Sequence, residues 1–175
     1  MTGRSAKCFF LTGFMGVGKS NIGKAVADQL SFPFIDTDEV IENMEGCSIS
    51  DIFHEKGEAY FRSLETEVLR ELVKQNTSCI IATGGGVVEK IENRKIMRSA
   101  GPVIWLRLAP STLFINLQSI RSSRPKLSGE NWKDDLVDLY RKRYPDYLQC
   151  DVSLFLENDI ISDKEKLVEL IEVYL

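Results

Sequence analysis

Five short apolar runs recur along the 175 residues: Cys8–Thr12, Pro33–Asp36, Cys79–Ala82, Val103–Leu108 and Val152–Leu156. Each carries few charges, the pattern of strands covered on both faces. Helical stripes separate them. Ile22, Ala25, Val26 and Leu30 follow the first run. Leu64, Val68, Leu69, Leu72 and Val73 lie between the second and third, and Leu113, Phe114 and Leu117 after the fourth. Leu167, Leu170, Ile171 and Tyr174 follow the fifth, behind a Ser162/Glu165 pair spaced as a capping box. Strand alternating with helix predicts an α/β fold, a parallel sheet with crossover helices. The length suits one domain, and no repeat, linker or low-complexity tract divides it. Residues 1–175 therefore read as a single domain. Ser119–Trp132 is the least periodic stretch, carries Arg121, Arg124 and Lys126, and reads as a mobile basic loop of the kind that closes over a site.

Charge and cysteine content narrow the function. With 22 Lys+Arg against 26 Asp+Glu the net charge is −4, the wrong sign for a general nucleic-acid binder. No apolar run approaches the ~18 residues a membrane span needs, and Cys8–Leu11 is too short for a signal-peptide core. Cys8, Cys47, Cys79 and Cys150 form no CxxC pair, and His54 is the only histidine. A reducing, cytoplasmic setting without disulfides or a zinc site is expected.

Gly13-Phe14-Met15-Gly16-Val17-Gly18-Lys19-Ser20 matches GxxxxGK[ST], after a strand and opening a helix. Glycines let backbone N–H groups turn around phosphate oxygens, and the helix presents its positive end to them. Lys19 supplies a cation and Ser20 a hydroxyl for Mg²⁺. The plain alternative is a glycine-rich turn with an exposed lysine. Asp36 and Asp38 end the second run, at the strand edge where open α/β sheets bind ligands. One can hold a metal through water and the other can take a hydroxyl proton, unless Asp38 is only a helix N-cap. Gly84-Gly85-Gly86 clears side chains from the end of the third run, for a ligand or a tight turn. Arg62 can fork onto a carboxylate or pair with Glu58 or Glu65. Arg143 sits in Tyr140-Arg141-Lys142-Arg143-Tyr144-Pro145, where a basic run is usually a solvated helix face.

Taken together these residues resemble the shikimate kinases, through 13–20, Asp36-Thr37-Asp38, Phe61-Arg62 with Glu65, Gly84–Gly86, Arg124-Pro125 and Arg143–Tyr147. The lid departs from the family pattern, reading Arg124-Pro125-Lys126-Leu127. The resemblance implies a three-layer P-loop kinase fold: a five-stranded parallel sheet flanked by helices, with a mobile lid near 119–132. It implies transfer of the ATP γ-phosphate to the 3-hydroxyl of shikimate, on the route to chorismate and the aromatic amino acids, by a cytoplasmic monomer. It implies ATP on Gly16, Val17, Gly18, Lys19, Ser20, Asn21 and Arg124, and Mg²⁺ on Ser20 and, through water, Asp36. Shikimate falls to Asp38, Arg62, Gly84, Gly85, Gly86 and Arg143, and catalysis to Asp38, Lys19 and Arg124. Two other readings share the phosphate cradle: another small-molecule kinase, such as a gluconate kinase, and a non-catalytic nucleotide sensor.

Overall fold

The computed structural model describes residues 7–75, 78–120 and 131–175. Its strands are β1 (Cys8–Thr12), β2 (Phe34–Asp36), β3 (Cys79–Ala82), β4 (Val103–Arg107) and β5 (Val152–Phe155), all within two residues of the apolar runs. They form one parallel sheet in the order β2-β3-β1-β4-β5. The helices are α1 (Lys19–Leu30), α2 (Thr37–Glu45), α3 (Ile49–Glu55), α4 (Gly57–Lys74), α5 (Ile91–Ala100), α6 (Pro110–Ile120), α7 (Trp132–Tyr147) and α8 (Ile160–Glu172). Every residue of β1 and β3 is buried, so helices must cover both faces of the central sheet. α1 packs with α8, and α4 with α5.

Two expectations need correction. The edge strand β5 is not covered on both faces: burial alternates along it, and Phe155 is 54% exposed. At a sheet edge fewer helices reach across, and the period-2 pattern of a half-covered strand returns. The Ser162/Glu165 capping box does not form either. Asp159 caps α8, accepting from the Ile161 N–H at 3.1 Å, so the helix starts a turn earlier than the capping signal suggests.

Parallel pairing aligns the carboxyl ends of β2, β3 and β1, and everything chemical in the sequence hangs from that edge. Register pairs Leu11 with Ala82 and Asp36 with Ala82. Beyond it, buried Thr83 donates both its N–H and its hydroxyl to the Leu11 carbonyl, at 3.1 and 3.0 Å. The chain after β1 and the chain after β3 therefore leave the sheet side by side, at its topological switch point. At the opposite edge Cys8 and Cys79 are register partners. Their sulfurs lie 3.2 Å apart as a thiol–thiol hydrogen bond, and none of the four cysteines is in a disulfide. Among the described residues no helix is long and apolar enough to cross a membrane.

Candidate active site

The loop 13–18 joins β1 to α1, and Gly18 is the N-cap at φ 91°, a left-handed conformation that glycine adopts without strain. No side chain caps α1 and no acidic residue lies in its first turn, so its N-terminal N–H groups and dipole are offered to an anion. Lys19 donates through Nζ to the carbonyls of Gly13 (2.8 Å) and Phe14 (3.2 Å), which hold the ammonium against the loop. Ser20 donates its hydroxyl to Asp36 Oδ2 at 2.5 Å, bringing the start of α1 to the end of β2. A cleft of about 960 Å³ opens here, lined by Gly16 to Asn21, Asp36 and Asp38. Asn116, on α6, lines it too and donates to the Gly16 carbonyl at 3.0 Å. Nothing local in the sequence singles out Asn116, because it meets the loop only through α6 packing.

Asp36, not Asp38, is the cap of α2: its Oδ1 accepts from the Asp38 N–H at 2.9 Å. Asp38 is thereby released from the capping role the sequence allowed it. Ser20 and Asp36 present hard oxygen donors side by side, the chemistry Mg²⁺ selects. Among the described residues no three His, Cys, Asp or Glu side chains converge.

A second cavity, about 70 Å³, lies beside the cleft. Met15, Ile49, Phe53 and Phe61 form its apolar wall, and Asp38, Arg62, Glu65, Arg143 and Gly84–Gly86 its polar one. Asp38 and Gly85 line both spaces. The glycine run lets the polar side chains approach closely: a Cβ on Gly84 would sit 2.6 Å from Glu65 Oε1, and one on Gly86 2.6 Å from Arg62 Cζ, so either would displace the end of that side chain. The run is also tied down, since the Gly84 N–H donates to buried Thr37 Oγ1 at 3.2 Å.

Arg62 pairs with both of the acids that the sequence offered it. Its Nη1 pairs with Glu65 at 2.6 Å and its Nη2 with Glu58 at 3.1 Å, and it faces the cavity as well. For Arg143 the solvated reading fails: it is 2% exposed, the largest charged side chain in the core. Its Nε donates to Glu89 Oε1 at 2.8 Å, with Nη2 also 2.8 Å from that oxygen. The signal was present in the sequence, because Trp132, Leu136, Arg143 and Tyr147 are all buried and share one helical face. Trp105 on β4 fixes that face, stacking on Tyr147 (centroids 5.4 Å, 10°) and meeting Tyr144 edge-on (5.5 Å). The Tyr147 hydroxyl donates to the Gly85 carbonyl, so α7 and the glycine run are locked together.

Glu65 is 1% exposed, and its Oε1 has no hydrogen-bond partner among the described residues. Burial pushes its carboxyl above the ordinary value of 4.5, with Arg62 pulling back only in part. A group whose pKa is raised by folding favours the fold most below its unfolded pKa, and that contribution is lost as pH rises through the folded pKa. The melting temperature of the wild-type protein should therefore fall relative to Glu65→Gln as pH rises from 4 through 7. A difference that grows in the wild type's favour over that range would contradict this.

The residues that sequence reasoning assembled thus converge on the carboxyl edge of the sheet, except Arg124. Arg121, Arg124 and Lys126 lie outside the described residues, as does the lid apart from its ends. There Ser119 and Ile120 complete α6, and Trp132 opens α7.

A family model described as shikimate kinase matches residues 15–173. The chain belongs to the shikimate kinase family. Among curated shikimate kinases, that of Dictyoglomus turgidum is 40% identical over 152 residues, 86% of this chain and 88% of the relative. That of Thermodesulfovibrio yellowstonii is 38% identical over 168 residues, covering 96% and 95%. A shikimate kinase from Acinetobacter baumannii, solved in complex with shikimate, superposes with a TM-score of 0.89 at 31% identity, over 96% of this chain and 94% of that one. One from Bacteroides thetaiotaomicron gives 0.83 at 34% identity, over 95% and 98%. The five-stranded sheet and its helices are the P-loop kinase fold of the shikimate kinases, as the resemblance implied.

Proposed function

We propose that this chain transfers the γ-phosphoryl group of ATP to the 3-hydroxyl of shikimate, giving shikimate 3-phosphate and ADP on the route to chorismate. The observation that carries the proposal is Asp38, which faces both the phosphate cleft and the arginine-lined cavity. A phosphoryl donor and a carboxylated alcohol can meet only at such a junction.

Gly16, Val17, Gly18, Lys19, Ser20 and Asn21 bind ATP through loop N–H groups, the α1 terminus and the lysine charge. Ser20 and, through water, Asp36 hold Mg²⁺. When bound, this ion offsets charge on the phosphate oxygens. Arg62 and Arg143 take the shikimate carboxylate, and Gly84, Gly85 and Gly86 let the ring approach the backbone. Glu65 Oε1 accepts from a ring hydroxyl. Asp38 receives the proton of the 3-hydroxyl as its oxygen bonds to γ-phosphorus and the bond from that phosphorus to the β–γ bridging oxygen breaks. Phosphoryl transfer needs mostly positioning and charge stabilisation, and Lys19 with Arg124 supplies cations to the γ-phosphate. Residues 1–175 act as one kinase domain whose lid, near 119–132, brings Arg124 in and excludes water. Four cysteines outside any disulfide fit a cytoplasmic protein, and the proposed assembly is a monomer.

The test is an acceptor panel: pure protein, ATP and Mg²⁺, with shikimate, gluconate, a nucleoside monophosphate or no acceptor. ADP release with shikimate alone is expected. Turnover of another acceptor without shikimate would overturn the assignment. Nucleotide binding with no product from any acceptor would favour the sensor.

A further inference from the structure

Arg143 is only 2% exposed, yet it lines the cavity. The structure shows what aims it. Glu89 ends the 3-10 turn Val87–Glu89 that continues the glycine run. Its Oε1 takes the Nε and Nη2 edge of Arg143 at 2.8 Å. The remaining nitrogen, Nη1, lies nearest the cavity-lining Gly85. Glu89 Oε2 is held in turn by Lys142 at 3.0 Å, and Arg62 Nη2 stands 3.7 Å from Oε1. The turn is itself fixed from α5: buried Asn93 donates to the Val87 carbonyl at 3.1 Å, and Arg94 donates to that of Val88. Glu89 does not line the cavity.

We propose that Glu89 is a positioning residue, a fixed carboxylate that turns the Nη1 edge of Arg143 toward the acceptor's carboxylate and so sets the affinity for it. This rests on the reading that Arg143 receives that carboxylate. Two effects of Glu89 oppose each other. Its brace orients the guanidinium, while its charge repels an incoming anion. Charge-assisted hydrogen bonds to a buried guanidinium outweigh a screened like-charge interaction at longer range, so orientation dominates.

The experiment compares Glu89→Ala, Glu89→Gln and Glu89→Asp in steady-state kinetics, with shikimate and with a ring analogue in which the carboxylate is replaced by hydrogen. Glu89→Ala should raise the shikimate KM about tenfold, leaving kcat and the ATP KM within about twofold. Glu89→Gln keeps the acceptor oxygen and removes the charge, and should restore KM to the wild-type value or below. Glu89→Asp falls short of the fork and should give an intermediate KM; it also keeps the test alive should the alanine variant fail to fold. With the carboxylate-free analogue, none of the variants should differ from wild type. Equal KM for shikimate in wild type and both shortened variants overturns the inference, as does a lower KM in Glu89→Ala or an equal loss with the analogue. No turnover of shikimate by the wild-type protein overturns the functional reading instead.

Discussion

Asp38→Asn will lower kcat about a thousandfold while leaving ATP affinity within about twofold. The substitution is isosteric, so the junction between cleft and cavity keeps its shape. Asp36 caps α2 through its own carboxylate, so the helix retains its start. Only a small helix-dipole contribution is lost, about 0.5 kcal/mol. What disappears is the capacity to accept the hydroxyl proton as the oxygen attacks. ADP release under saturating substrates and calorimetric titration with ATP measure the two quantities. A kcat within tenfold of wild type would remove the base from Asp38 and leave it a contact to the acceptor.

Arg143→Ala should raise the shikimate KM about a hundredfold, because one of the two guanidiniums proposed to take the carboxylate is deleted and Arg62 alone is left to hold it. It should also cost about 2 kcal/mol of stability. Burial alone would raise the Glu89 carboxyl, but Arg143 reverses this and, with Lys142 and Arg62, holds it below the ordinary value. Deleting the guanidinium leaves that half-buried carboxylate short of its main partner. Lys142 limits the loss, since it is exposed and free to follow Glu89. The predicted signature is a large KM change, a lower melting temperature and an unchanged ATP KM. A shikimate KM within threefold of wild type would show that the carboxylate is held elsewhere.

How much of this was legible in the chain depends on the range over which each signal acts. The phosphate loop, the Asp36/Asp38 pair and Gly84–Gly86 were readable because each is a local conformation at the end of an apolar run. The runs matched the strands because central parallel strands tolerate few charges. For Arg143 the local pattern misleads, since its neighbours Arg141 and Lys142 suggest a solvated face while its spacing from Trp132, Leu136 and Tyr147 puts it on the buried one; its place in the substrate set comes from the family resemblance. Glu89 and Asn116 carry no local pattern at all. Each becomes significant only when the fold brings a distant element to it, α7 to Glu89 and the phosphate loop to Asn116. At the start of α8 two capping signals, Asp159 and Ser162, compete within four residues, and the contact made by Asp159 prevails.

A crystal structure of the complex with shikimate and a non-hydrolysable ATP analogue tests the central claim most directly. The acid group should lie between Arg62 and Arg143, with the 3-hydroxyl against Asp38 and facing the γ-phosphate over residues 13–20. Shikimate found outside the cavity of Arg62, Glu65 and Arg143, or with its carboxylate turned toward Asp38, would contradict it.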